Sequence, residues 1–181
     1  MLRRLIVRSF PRLRTRAITI RWGAEEDLLY YRARGDEHII SVSDCLRCAR
    51  RRALEGGIVH ELCHIDSDLK LGTHQRRLAW ERYARSRWYR IREERAIETR
   101  VIELGYGRHL LELIRFTGRL GYTFDREHGL SYAEVLRALS TPMPVADPSI
   151  SATRQSFSIQ KIPDRNAPPQ RRFRRTPPCL L

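Results

Sequence analysis

Two histidines one helical turn apart, His60 and His64, are the side chains of this chain best suited to bind a metal ion. On a helix, positions i and i+4 lie on the same face, so both imidazole rings can reach one ion. Neutral imidazole suits zinc, and a catalytic zinc site usually has three protein ligands and one water. Glu61 lies between the histidines, where its carboxylate can take a proton from that water. The pattern H-E-x-x-H therefore predicts a zinc site with Glu61 as general base.

The residues around the motif predict the helix that it needs, from about 52 to 66. One face of this helix is apolar and consists of Leu54, Ile58, Leu62 and Ile65. At about 100° per residue, this face lies nearly opposite the two histidines. The helix would therefore be anchored on one side and present both rings to a cleft. Gly56 and Gly57 each weaken a helix by roughly 1 kcal/mol relative to alanine, and such a pair suggests close backbone packing near the helix start.

The third ligand is left open by the sequence. A single long helix is predicted from about 76 to 104, since no Gly or Pro occurs there before Gly105. Its predicted apolar stripe consists of Tyr89, Ala96, Ile97, Val101 and Leu104. Glu93 falls at the centre of this stripe, whereas Glu94 falls near its edge. A buried carboxylate needs a partner, because an unpaired buried charge is very costly. Zinc would be such a partner, and a neighbouring arginine is the alternative.

His74 is a further candidate for the third ligand. It lies ten residues after His64, where the chain is expected to turn back from the first helix. A loop histidine there would complete a three-histidine site. The extended pattern H-E-x-x-H-x-x-G-x-x-H is excluded, because Ser67 and Lys70 occupy the positions of its glycine and last histidine. The long helix favours Glu93, which we take as the expected third ligand.

The segment from Ile58 to Ile65 resembles the active-site helix of the HExxH zinc metallopeptidases, and Glu93-Glu94-Arg95-Ala96 is similar to the glutamate helix of their gluzincin branch. In that branch the glutamate three residues before an alanine is the third ligand, which implies Glu93. Many gluzincins carry an aspartate four residues later, where this chain has Ile97. Gly72-Thr73-His74 resembles the histidine after a glycine in SprT-like proteases. The resemblance covers about residues 38 to 107 and implies zinc-dependent hydrolysis of a peptide or protein substrate.

Two other classes of function stay open. Cys45 and Cys48 precede His60 and His64 with eleven residues between the pairs, within one residue of the spacing of a zinc finger that binds zinc through two cysteines and two histidines. A finger of this kind would bind DNA, but it leaves Glu61 without a role. The other class is a zincin fold that has lost catalysis, which would bind zinc without hydrolysing any substrate.

Composition narrows the class of protein. The chain has 181 residues, 41% of them hydrophobic, which suits one domain of ordinary size with a real core. Its four cysteines do not form a secreted disulfide framework. No apolar run approaches the roughly 18 residues needed to span a bilayer. The first residues lack the apolar stretch of a secretory signal. They are rich in arginine, which also fits an organellar presequence. The strand-like segment from Ala17 nevertheless favours a cytoplasmic location.

The formal net charge is +14, and arginines crowd both ends of the chain. They are Arg3, Arg4, Arg8, Arg12, Arg14 and Arg16 at one end and Arg171, Arg172, Arg174 and Arg175 at the other. Such clusters bind nucleic acid through phosphate contacts that weaken with salt. A solvated basic surface is an equally simple interpretation.

The expected fold class is α+β, with a small antiparallel sheet packed on a mainly helical zincin-like domain. The strands are expected at Ala17–Trp22, Leu28–Ala33 and His38–Val42, which alternate and are rich in β-branched and aromatic residues. A further helix is expected from Arg108 to Leu120, and a capping box at Ser131 opens a last short one. Residues 1–140 would form the domain. Residues 141–181, rich in Pro, Ser and Arg, would form a disordered tail.

Overall fold

A computed structural model describes residues 1–24, 27–34, 36–122 and 129–141, and within them the fold is α+β, as predicted. The strands are β1 (Ala17–Gly23), β2 (Leu29–Arg34) and β3 (Glu37–Ser43). The helices are α1 (Leu2–Ser9), α2 (Arg51–Asp68), α3 (Thr73–Arg85), α4 (Arg87–Val101), α5 (Gly107–Arg119) and α6 (Tyr132–Ser140). None of these helices is long and apolar enough to cross a membrane. The predicted tail lies outside the described residues from position 142 onward.

The sheet is mixed, so the prediction of a wholly antiparallel sheet is wrong for one of its two strand pairs. The strand order is β1-β3-β2, with β2 antiparallel to β3 and β1 parallel to it. Strand β3 is central because its residues 38 to 43 are all buried, so their backbone groups need partners on both sides. Strands β1 and β2 each expose part of their length and therefore form the edges.

Helix α2 packs between the sheet and α5, and its apolar face is largely the predicted one. Ile58, Leu62 and Ile65 are fully buried in a core that also contains Ile40 of β3 and Leu110 of α5. The opposite face carries the two histidines of the motif. The core therefore fixes the rotation of α2 and, with it, the direction in which both imidazoles point.

The two glycines of α2 lie where neighbouring elements come closest. A Cβ added at Gly56 would lie 2.5 Å from the backbone carbonyl oxygen of His109 in α5. At Gly57 it would lie 2.8 Å from a methyl carbon of Leu29. The close packing expected from this pair is confirmed, and α5 is the helix that requires it at Gly56.

The prediction of one long helix over 76–104 is wrong, because the chain breaks at Ser86 between α3 and α4. Ser86 has extended backbone angles, and its hydroxyl accepts a hydrogen bond of 3.3 Å from the backbone N–H of Tyr89. A serine side chain that caps a new helix in this way competes with continuation of the previous one. The break allows α3 to fold back against α4.

The basic N-terminal end is partly used inside the fold. Arg4 of α1 lies 2.5 Å from the buried carboxylate of Glu55, and Arg14 donates a hydrogen bond of 2.8 Å to the carbonyl of Val7. Arg8 lies over the ring of Tyr106. These arginines therefore hold α1 on the domain, which is a role that charge counting alone does not reveal. The arginines of the other end lie outside the described residues.

Replacing Gly56 with alanine should destabilise the protein by about 2 kcal/mol. The methyl group would overlap the backbone of α5, and overpacking of this kind costs roughly 1–3 kcal/mol, which exceeds the gain of up to about 1 kcal/mol in helix propensity. Urea denaturation followed by circular dichroism measures the free energy of unfolding.

Gly118→Ala is the matched control, because Gly118 is also helical but has open space where a Cβ would lie. We expect it to be neutral or to stabilise by up to about 1 kcal/mol. Equal effects of the two substitutions would contradict the packing of α2 on α5.

Candidate metal centre

Three potential metal donors meet between α2 and α4: His60, His64 and Glu94. The Nε2 atoms of the two histidines lie 3.1 Å apart. One carboxylate oxygen of Glu94 lies 3.1 Å from Nε2 of His60, and the other lies 3.6 Å from Nε2 of His64. Among the described residues, these three form the group of His, Cys, Asp and Glu side chains close enough to share an ion.

The spacing of these atoms fits a zinc ion. With metal–ligand bonds of about 2.0–2.1 Å, neighbouring ligands of a tetrahedral zinc lie about 3.3 Å apart. The three measured separations, 3.1, 3.1 and 3.6 Å, lie on both sides of that value. Two imidazoles and one carboxylate are also a donor set found in catalytic zinc sites, which leave a fourth position for water.

Contacts within the cluster favour the protonated form of His60. Burial by itself lowers the pKa of His60, but the hydrogen bond and the charge of Glu94 outweigh it and raise that pKa to about 9. Burial likewise opposes ionisation of Glu94, yet the hydrogen bonds from both histidines keep the pKa of its carboxyl well below the usual range. A divalent cation would replace this proton, because metal ligands must be deprotonated.

Glu61 is buried beside the donors and is not one of them. Burial raises the pKa of its carboxyl, and the charges of His60 and His64 partly oppose that shift. A backbone hydrogen bond from Tyr31 in the edge strand β2 also stabilises the ionised form. The side chain is therefore held next to the cluster, with a pKa moved toward the range in which a carboxylate works as a general base.

The sequence-predicted third ligand, Glu93, lies outside the cluster. Its carboxylate is partly exposed and lies 3.7 Å from Arg92, which is the arginine alternative considered for it. His74 is exposed at the start of α3 and does not join the group either. Cys45 and Cys48 follow β3 as free thiols outside the group, so no zinc finger is assembled from them and the two histidines.

Glu94 joins the two histidines because the buried face of α4 differs from the stripe predicted for it. Tyr89 is only half-buried and Ala96 is exposed, although both were assigned to the apolar stripe. The face that actually meets α2 follows helical spacing through Glu94, Ile97, Glu98 and Val101. Two of these four positions are acidic, so the pattern of hydrophobic residues predicted the neighbouring face of α4 as the buried one.

Glu98 is a second acid of α4 that sequence reasoning missed. It is 1% exposed, lies one turn after Glu94 and accepts a hydrogen bond from the backbone N–H of Leu130. Burial raises the pKa of its carboxyl to about 7, and the charge of His60 partly opposes the shift.

Tyr83 of α3 is the aromatic residue that reaches the cluster, since its hydroxyl donates a hydrogen bond to Glu94. Burial raises the pKa of this phenol, as do the charges of Glu94 and Glu61. The tyrosine therefore stays protonated near neutral pH, and its hydroxyl remains a hydrogen-bond donor beside His60, His64 and Glu94. A tyrosine in a predicted long helix gives no sequence signal for such a contact, which exists only because the chain breaks at Ser86.

The polar groups that sequence analysis considered for supporting roles lie elsewhere. Tyr106 and His109 belong to a cluster around Ser9 and Glu55, and Tyr122 is partly exposed beyond α5. Among the acids that follow the motif, Asp66 pairs with Arg100 at 2.5 Å. The other, Asp68, accepts hydrogen bonds from the side chains of Tyr31 and Trp80. These acids anchor the end of α2 and do not contact the histidine rings.

Comparison of the chain with family models, with curated proteins and with solved structures gave no match.

Proposed function

We propose that this protein is a zinc-dependent metallopeptidase, with His60, His64 and Glu94 as metal ligands. The observation that carries the proposal is the triangle of donor residues, whose nearest donor atoms lie 3.1, 3.1 and 3.6 Å apart with the two Glu94 distances ending on different carboxylate oxygens, beside a buried glutamate that is not part of it. A structural zinc site is closed by four protein ligands, whereas three ligands with an acid alongside are typical of hydrolytic sites.

Zinc, when bound, supplies a Lewis acid that polarises a substrate carbonyl and lowers the pKa of a water. Glu61 accepts the proton of the attacking water and returns it to the leaving amine. Its burial favours this exchange, because a carboxylate with a raised pKa holds a proton more readily after taking it. The backbone hydrogen bond from Tyr31 fixes the carboxylate while the proton moves.

Tyr83 is the group best placed to stabilise the negative charge that develops on the carbonyl oxygen. Its phenol is protonated and lies against Glu94 at the edge of the donor triangle. A hydrogen-bond donor that reaches the developing oxyanion lowers the barrier to attack. In the proposed mechanism, its hydroxyl moves from Glu94 to the substrate oxygen.

Replacing Glu94 with glutamine should lower zinc affinity by more than about 100-fold, because losing a ligand costs more than losing an outer-shell partner, which costs about 10–100-fold. Titration against a chromophoric chelator measures the dissociation constant. Glu93→Gln is the matched control in the next position and should change affinity by less than about twofold. Loss of zinc in the Glu93 variant, with retention in the Glu94 variant, would contradict the ligand set.

Replacing Glu61 with glutamine should abolish peptide hydrolysis while the protein keeps its zinc. Loss of a general base typically costs about 10²–10⁴-fold in rate, and the amide cannot accept the proton. Cleavage of a fluorogenic peptide pool, with metal analysis of the same sample, measures both properties. The exposed Glu103→Gln serves as control, and hydrolysis that survives in Glu61→Gln would argue against the proposed chemistry.

Replacing Tyr83 with phenylalanine should lower kcat by about 100-fold at saturating zinc, the range seen when one oxyanion donor is removed, with little change in KM. Tyr89→Phe is the matched control: it removes the same hydroxyl group from a half-buried tyrosine in the first turn of α4 and should leave kcat unchanged. If Tyr83 only positions Glu94, the phenylalanine variant will bind zinc more weakly and regain full kcat when zinc is in excess, which would refute the catalytic role.

A further inference from the structure

Helices α3 and α4 carry a basic surface beside the candidate metal centre. Between residues 73 and 95 the chain has eight arginines and three glutamates. One glutamate is Glu94 itself, and the other two already lie near arginines: Glu81 is 3.9 Å from Arg77, and Glu93 is 3.7 Å from Arg92. A cationic excess therefore remains on this part of the surface.

Arg90 is the arginine of this surface that lies nearest to the proposed reaction. It is exposed and precedes Glu94 by one turn of α4, so both side chains leave the same face of the helix. Its guanidinium lies over the ring of Tyr83, 5.9 Å from the ring centroid, and the hydroxyl of that ring binds Glu94. Within the described part of the chain, no carboxylate forms an ion pair with Arg90. The ring of Tyr83 thus lies between the guanidinium of Arg90 and the carboxylate of Glu94, a proposed metal ligand.

The charges of the centre and of its border have opposite signs. The interior holds the carboxylates of Glu61, Glu94 and Glu98, all buried or half-buried. The border is cationic at Arg90 of α4, and α3, which carries Tyr83, also has the exposed Arg82 and Arg85. These exposed arginines lie on the same two helices as Tyr83 and Glu94. Charge complementarity at the border therefore favours an anionic ligand.

We propose that the substrate is an acidic polypeptide segment, in which an Asp or Glu side chain next to the cleaved bond pairs with Arg90. This inference rests on the proposed peptidase function, because it assigns the specificity of the same site. A polypeptide bound at the three donor residues would place its neighbouring side chains beside Tyr83, over whose ring the guanidinium of Arg90 lies. An exposed ion pair of this kind gives a preference of about two- to fivefold that weakens with salt.

The experiment uses the zinc-loaded full chain and two fluorogenic peptide pools with the same random core, flanked by Glu in one pool and by Gln in the other. We expect the acidic pool to have a two- to fivefold higher kcat/KM at 50 mM NaCl and no advantage at 500 mM. Arg90→Gln should remove this preference without changing zinc content. Arg92→Gln makes the same change of charge two residues away, where the arginine already lies near Glu93, and should keep the preference.

A binding measurement separates failure of this inference from failure of the proposed function. The zinc-loaded Glu61→Gln protein is titrated with a labelled Glu-rich peptide, and fluorescence anisotropy is recorded with Arg90 intact and replaced. If the peptide binds through Arg90 but the wild-type protein cleaves neither pool, the result supports an acidic ligand and contradicts the peptidase function. Equal cleavage of both pools, or equal behaviour of the Arg90 and Arg92 variants, overturns the inference and leaves the peptidase function. Displacement of the peptide by an equally charged oligothymidylate at lower concentration also overturns it, in favour of nucleic acid.

Discussion

The burial of three carboxylates around two imidazoles is the constraint on which the rest of this structure depends. Glu61, Glu94 and Glu98 lie between α2 and α4, where an uncompensated charge would be very costly. Two other acids of α2 are also buried, but they are paired with permanent cations: Glu55 with Arg4 and Asp66 with Arg100. Among the described residues, Glu61, Glu94 and Glu98 form no ion pair with an arginine, and the charge that faces all three is that of His60. A protonated histidine, or a metal ion in its place, would compensate them. This difference separates anchoring acids from those suited to chemistry.

Each acid of the centre is held by a different part of the fold. Glu61 has a backbone hydrogen bond from β2, Glu94 accepts one from Tyr83 of α3, and Glu98 accepts one from the N–H of Leu130 just before α6. The backbone of Gly129 comes so close to Glu98 that an added Cβ would lie 2.5 Å from its carboxylate. Because the supports come from separate elements, the donor geometry is set by the whole domain, as precise functional sites require.

The proposed chemistry and the proposed specificity use different layers of the same helix pair. The inner layer of α4 carries Glu94, the proposed metal ligand, and Glu98, whereas the outer layer is rich in arginine. A basic exterior of this kind would favour acidic substrates over basic ones. The overall charge of +14 gives a background to this effect, and Arg90, whose guanidinium lies over the ring of Tyr83, is the arginine proposed to distinguish the residues next to the cleaved bond.

The sequence alone determined the α+β class, the α2 helix with both histidines opposite its apolar face, the close packing at Gly56 and the capped last helix, because local periodicity and capping depend on neighbours in the chain. It did not determine the third donor. Hydrophobic periodicity marks the apolar face of a helix, whereas the buried face of α4 contains Glu94 and Glu98, which only the partner helix makes tolerable. The break at Ser86, the contact of Tyr83 and the parallel pairing of β1 with β3 likewise depend on residues distant in sequence. Tertiary structure decided these features because burial, and not local propensity, selects the partner of a charge.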